Sequence, residues 1–232
     1  MGLLSAINED IEAAQRRDPA ARGRAEVLLT YPGVHALLIH RLAHRLWRAD
    51  MPLLPRLISN LSRLLTGIEF HPGAQSGRRL FIDPGMGVVI GETTVIGDDC
   101  HLFQGVTLGG TSTRHEKRHP TLENNVVVGA GAKIVGAVTI GENSKIGAGS
   151  VVVSNVPPNA TVVGVPGHVI AYTDQSNETI ERLPDPEWDR IDSLEQRLTQ
   201  LEQQLAKGGP ADAARAPDDL TAGASAEREG DR

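Results

Sequence analysis

Aromatic residues are scarce in this chain, 3% of 232, and cysteine occurs once. A single cysteine excludes a disulfide scaffold and any multi-cysteine zinc or iron–sulfur site. A core so poor in rings has to be filled by Val, Ile, Leu and Ala. No apolar run approaches the roughly 18 residues that a membrane-spanning helix needs. The opening stretch carries acids at Glu9, Asp10 and Glu12 and no apolar segment leading to a small-residue cleavage site, so no signal peptide is read there. No basic stripe with interleaved aromatics is present, which removes nucleic acid as an expected partner. The net charge of −6 is uneven: residues 174–232 hold fifteen acidic groups against seven basic ones, and the remainder is nearly balanced. The expectation is a cytoplasmic protein with an aliphatic core and no membrane contact.

Glycine is abundant (25 residues), and the chain falls into zones. Residues 1–66 read as an N-terminal helical region. From His35 to Trp47 apolar residues recur at helical spacing, Tyr31-Pro32-Gly33 precedes them as a turn, and Pro52 and Pro55 punctuate a further helix over about 54–66. His40 and His44 lie one helical turn apart, near His35, but no acidic residue joins them on that turn. They read as surface or packing histidines rather than metal ligands.

Residues 67–173 carry a repeat. Aliphatic residues fall six apart at Ile90, Ile96, Leu102 and Leu108, then at Leu122, Val128, Ile134, Ile140, Ile146 and Val152. Four residues after most of them stands a small or β-branched side chain, among them Thr94, Cys100, Val106, Val126, Ala132, Ser144 and Ser150. Neither a helix nor a simple strand has a period of six. A triangular prism does, with one short strand per face, the aliphatic inward, and glycine or asparagine at the corners. This is the hexapeptide pattern of a parallel β-helix. Upstream the register is offset by two (Phe70, Ser76, Ile82, Val88), so less regular first coils are expected. Between Leu108 and Leu122 the interval is fourteen, which predicts a loop leaving the prism within 109–121. That loop holds His115, His119 and three cations, and loops on rigid scaffolds are where function concentrates. Cys100, at an inward small position, reads as a structural thiol. Residues 174–207 read as a linker and a short helix, with Ile191, Leu194, Leu198, Leu201 and Leu205 giving about two heptads of seam. Residues 208–232 read as a disordered acidic tail.

Together, these segments closely resemble serine O-acetyltransferase, within the hexapeptide-repeat acyltransferases, over about residues 8–170. The motifs that carry the resemblance are Arg17-Asp18-Pro19-Ala20, Gly33-Val34-His35-Ala36, Ile68-Glu69-Phe70-His71-Pro72, Gly87-Val88-Val89-Ile90-Gly91-Glu92-Thr93, Gly105-Val106-Thr107-Leu108-Gly109-Gly110-Thr111, Lys117-Arg118-His119-Pro120 and Gly164-Val165-Pro166-Gly167. The resemblance implies a left-handed β-helix, trimeric through the prism, with head-to-head pairing into a dimer of trimers. It implies acetyl transfer from acetyl-CoA to L-serine for cysteine synthesis, with no metal. Asp18 resembles the residue that meets the serine amino group, and Asp83 a second carboxylate of that pocket. Arg118 resembles the cation for the serine carboxylate, with His119 its companion. Gly110, Thr111, Ala130, Lys145 and Ala148 match positions lining the acetyl-CoA groove. Glu69 stands where a carboxylate orients the catalytic histidine. Many members bind cysteine synthase through a C-terminal isoleucine; this chain reads Glu229-Gly230-Asp231-Arg232 there, so no such complex is expected through the terminus.

One departure cuts across these matches. The family motif Ile-Asp-His supplies the general base, and here it reads Ile82-Asp83-Pro84. Proline has no side-chain proton acceptor. Three readings stay open. A loop histidine, His115 or His119, takes over as base; or turnover is weak and rests on positioning; or the protein is a non-catalytic binder. Another small hydroxyl acceptor is a further alternative. A β-helix carbonic anhydrase using His101, His115 and His119 is a less favoured reading, because Arg114, Lys117 and Arg118 would repel a divalent metal.

Overall fold

The computed structural model describes residues 3–51, 53–174, 179–182 and 186–207. Helices α1 (Leu3–Arg17), α2 (Arg24–Thr30), α3 (Pro32–Arg48) and α4 (Leu53–Thr66) form the head. The first turn of the solenoid is β1 (Glu69–Phe70), β2 (Gln75–Ser76) and β3 (Phe81–Asp83), and the second is β4 (Val89–Ile90), β5 (Val95–Ile96) and β6 (His101–Phe103). The third comprises β7 (Thr107–Gly109), β8 (Thr121–Leu122) and β9 (Val127–Val128). The fourth comprises β10 (Lys133–Val135), β11 (Thr139–Ile140) and β12 (Lys145–Ile146), and β13 (Val151–Val152) and β14 (Ala160–Val163) belong to the last. Strands stack on their counterparts in three parallel sheets, β1-β4-β7-β10-β13, β2-β5-β8-β11 and β3-β6-β9-β12-β14. We call the bend from the first sheet to the second the opening corner, and the bend from the third back to the first the closing corner.

The six-residue period has its expected consequence. Ile90, Leu102, Leu108, Leu122, Val128, Ile134 and Ile140 are fully buried, and so are the small partners Thr94, Cys100, Val106, Ala132 and Ser144. Each such aliphatic contributes about 1.5–3 kcal/mol of transfer free energy. The offset expected in the first coil is located differently. Phe70 pairs with Ile90, Ser76 with Ile96 and Ile82 with Leu102, all in register. The two extra residues are taken up in the closing corner after Asp83, where they leave the strands undisturbed. The end of the prism also differs from the plain linker read from the sequence. Strand β15 (His168–Asp174) pairs antiparallel with β14, and β16 (Thr179–Arg182) with β15, covering the free edge of the third sheet.

The head closes the first turn. Ala36 and Leu37 of α3 join Ile68, Phe70, Leu80 and Ile82 in the prism core, and buried His40 stacks on Phe70 at 3.5 Å between centroids. His44 Nδ1 donates to the Pro72 carbonyl at 2.8 Å. Both are packing histidines. Helices α1 and α2 lay Ile11, Ala14 and Val27 on Phe81, the outward residue of β3. Ion pairs latch α1 in place: Arg41 meets buried Asp10 at 2.9 and 3.0 Å, and Arg78 meets Glu9 at 2.6 Å. Helix α4 has an inverted pattern. It buries Pro55, Ser59, Ser62 and Thr66 and exposes Leu53, Leu54, Leu57, Leu61, Leu64 and Leu65. The second compact unit holds α5 (Pro186–Lys207), on which Ile191, Leu194, Leu198, Leu201 and Leu205 are all exposed. The tail, 208–232, lies outside the described residues.

Candidate active site

The head and the closing corner bring two carboxylates together. Asp18 follows the end of α1; the Ala20 amide donates to its Oδ1 at 2.8 Å and the Tyr31 hydroxyl to its Oδ2. These bonds, Tyr31 first, hold the Asp18 carboxyl below the usual range, because both favour the charged form. Tyr31 is in turn pushed up to about 12 by that hydrogen bond. Asp83 ends β3, and burial followed by the nearby charge of Asp18 raises its pKa. Among the described residues neither carboxylate has an ion-pair partner. Two anions at one corner with no protein cation suit an ammonium group.

The opening corner carries the complementary charge. The loop between β7 and β8 exposes its tip, Thr113–Lys117, and then folds back onto Glu92 and Thr93. Lys117 Nζ donates to the Thr93 carbonyl at 2.7 Å. The Arg118 and His119 amides donate to Thr93 Oγ1 at 3.0 and 3.1 Å, and the Arg118 guanidinium pairs with Glu92. That guanidinium holds the Glu92 carboxyl below the usual range. Arg118 has five N–H donors in all, so a second carboxylate can still be bound. His119 is buried, its Nδ1 lying 2.9 Å from Thr93 Oγ1 and 3.3 Å from the Thr93 nitrogen. Its ring lies over Gly91, where a Cβ would stand 2.0 Å from His119 Cδ2. Burial first, then Arg118, lowers the His119 pKa. Nearby His71 accepts the Gly73 amide at 2.9 Å, and burial followed by the charge of Arg56 pushes it down to about 4.

The first sheet separates the two corners. One chain therefore joins Asp18 to Asp83 and Arg118 to His119, but does not bring the two pairs together. Above the acid pair the closing corner is nearly bare of side chains. Gly87, Gly105, Gly131 and Gly149 have φ between 69° and 75°, and a Cβ on Gly131 or Gly149 would meet nothing within 4 Å. Ala130 and Ala148 precede two of these glycines, Lys145 is exposed on β12, and Gly110 and Thr111 begin the loop. Such a wall lets an extended ligand approach backbone amides closely.

A family described as "Bacterial transferase hexapeptide (six repeats)" matches residues 119–154. A serine acetyltransferase of Synechococcus elongatus is 54% identical over 205 residues, 88% of this chain and 84% of that one. The chain belongs to the serine acetyltransferase family. Among solved structures, the Neisseria gonorrhoeae serine acetyltransferase in complex with serine has a TM-score of 0.71 at 41% identity, over 73% of this chain and 69% of that one. The Brucella abortus serine acetyltransferase in complex with coenzyme A has a TM-score of 0.72 at 40% identity, over 74% and 68%.

In this serine acetyltransferase Pro84 stands where the sequence resemblance leads to the expectation of an imidazole, and it has no side-chain proton acceptor. Glu69 of β1, expected to orient an imidazole, pairs instead with Arg63 of α4 at 3.1 Å. His101 sits on the third sheet between Phe81 and Phe103, ring centroids 4.7 and 4.2 Å away, while His115 is at the exposed loop tip. Among the described residues no three His, Cys, Asp or Glu side chains group as a metal site. The sequence reading missed Tyr31, Glu92 and Thr93 as site residues. Their signal was present, since Glu92-Thr93 follows the corner Gly91 and Tyr31 caps α3, but only the fold shows what they touch.

Proposed function

We propose that this member transfers the acetyl group of acetyl-CoA to the hydroxyl of L-serine between neighbouring copies of the chain, with turnover weakened by the absence of an imidazole at residue 84. The observation that carries this reading is the placement of an acid pair and of Arg118 with His119 on opposite corners of one prism. The two ends of an amino acid need both, and a closed ring of prisms sets the opening corner of one copy against the closing corner of the next. The leucine face of α4 supports self-association, since a monomer gains nothing from exposing six leucines on one helix. A trimer is the assembly we propose. Its expected compartment is the cytoplasm, where a buried thiol such as Cys100 stays reduced.

In this scheme Asp18 and Asp83 hold the ammonium group and Arg118 the carboxylate, with the donor along Ala130, Lys145 and Ala148 and Gly110 and Thr111 contributed from the loop. The serine oxygen attacks the thioester carbonyl, the C–S bond breaks with its electron pair leaving on the coenzyme A thiolate, and the hydroxyl proton leaves to solvent. Positioning alone retains acceleration over the uncatalysed reaction, while a general base adds typically a further 10²–10⁴-fold. The test is kcat and KM for the wild type, Pro84→His, His115→Ala and His119→Ala. Pro84→His is expected to raise kcat by roughly 10²-fold with little change in KM. A fully active wild type that loses turnover with either loop histidine would replace this reading by a recruited base. Serine or coenzyme A binding without turnover in any variant would make the protein a binder.

A further inference from the structure

The hydrogen bonds around Thr93 settle which nitrogen of His119 carries a proton. A threonine hydroxyl has one proton to donate and two lone pairs to receive with. The Arg118 and His119 amides occupy those lone pairs at 3.0 and 3.1 Å. The hydroxyl proton is then directed at the remaining neighbour, His119 Nδ1, 2.9 Å away. The Thr93 amide also points at Nδ1, at 3.3 Å. Two donors converge on one ring nitrogen, which must be unprotonated. In a neutral ring the proton is then on Nε2, which has no partner among the described residues and lies 3.0 Å from where a Gly110 Cβ would stand.

We infer that Thr93 is a positioning residue that locks His119 in the Nε2–H tautomer, so that His119 serves the reaction as a hydrogen-bond donor to the acceptor and not as the group that takes its proton. The charged and titratable groups around the ring agree. Arg118 and Lys117 on its own loop disfavour a second proton, opposed by Glu92 alone, and His71 on the first turn, pushed down to about 4, carries no charge at neutral pH. Burial acts in the same direction. A donor at the opening corner complements Arg118, because both offer protons to an anionic or lone-pair-bearing ligand. It also accounts for Gly91: the Cδ2–Nε2 edge of the ring abuts this residue, and a Cβ there would stand 2.0 Å from Cδ2 and 2.1 Å from Nε2, displacing the ring from the two Thr93 bonds.

The role assigned to the donor rests on the acetyl-transfer reading, but the tautomer does not. The test therefore begins with long-range proton–nitrogen correlation spectra of protein carrying isotopically labelled histidine, the His119 signals being assigned by their loss in His119→Gln. The wild type is expected to show an unprotonated Nδ1 and a protonated Nε2 at neutral pH. Thr93→Val should shift His119 toward the other tautomer or an exchanging mixture, and Thr93→Ser should restore the wild-type pattern. In steady-state kinetics, Thr93→Val should raise the serine KM several-fold and leave the acetyl-CoA KM within twofold. A wild-type spectrum with Nδ1 protonated overturns the proposal whether or not Thr93→Val folds. So does a Thr93→Val protein that keeps the wild-type tautomer. The correct tautomer in a protein that does not acetylate serine leaves the assignment standing and removes the acetyl-transfer reading instead.

Discussion

At Asp83 two effects act in the same direction, and they make a pH signature. Burial and the charge of Asp18 both disfavour its ionised form, so its pKa is raised in the folded protein. As pH falls, Asp83 is protonated before an ordinary aspartate would be, and the pocket loses half its negative charge. We expect kcat/KM for serine to fall on the acid side with an apparent pKa above the usual aspartate value, and Asp18→Asn to move that limb to lower pH. A limb that does not move would show that Asp83 does not control it. Arg118 gives the complementary result. Arg118→Ala should weaken serine binding by about 1.5–3 kcal/mol, the range for a charged hydrogen bond, with acetyl-CoA affinity hardly changed in titration calorimetry. Equal loss of both ligands would assign the arginine to the donor. Asp18, Asp83, Arg118 and His119 were legible as a set because each stands in a short motif. Their arrangement was not, since sequence distance says nothing of which corner a residue occupies. The role of Thr93 was not legible for a plainer reason: it consists of four hydrogen bonds, with the Arg118 and His119 amides and twice with the His119 ring, made after the loop folds back.

Among the elements, α3 has the most demanding fit. Gly33, in its first turn, lies against the backbone of β3, and a Cβ there would come within 1.9 Å of the Ile82 carbonyl oxygen. Neither side can yield easily, because one is a helix and the other a paired strand. Gly33→Ala is therefore expected to cost about 1–3 kcal/mol, the range for overpacking, seen as a lower denaturation midpoint. It should also raise the serine KM, because α3 begins beside Tyr31 and β3 ends in Asp83. An unchanged midpoint would mean that α3 can move away freely. The prism was readable from sequence because an inward position every six residues is a direct imprint of its geometry. The pairing of β15 and β16 was not, since an antiparallel addition to the last rung follows no six-residue rule. The first-coil offset misled for a related reason: a longer corner shifts the count without shifting the strands.

For the molecule as a whole, the outward leucines of α4 make the assembly testable. Leu57→Glu with Leu61→Glu should shift the mass measured by light scattering toward the monomer and abolish serine acetylation, because the two corners would part. Helix content by circular dichroism should persist, since neither residue is buried within the chain. A wild type that is already monomeric, or an assembly untouched by the two acids, would count against the shared site. The loop of residues 110–120 has a consequence of another kind. It enters and leaves at one corner, and the rungs on either side keep their partners, Leu108 with Ile134 and Leu122 with Ile96. Any segment whose ends meet across that bend leaves the stack intact. Under the proposed function, the half of the pocket that meets the serine carboxylate, Arg118 and His119, thus rides on an exchangeable cassette, while Asp18 and Asp83 stay behind with the head and β3.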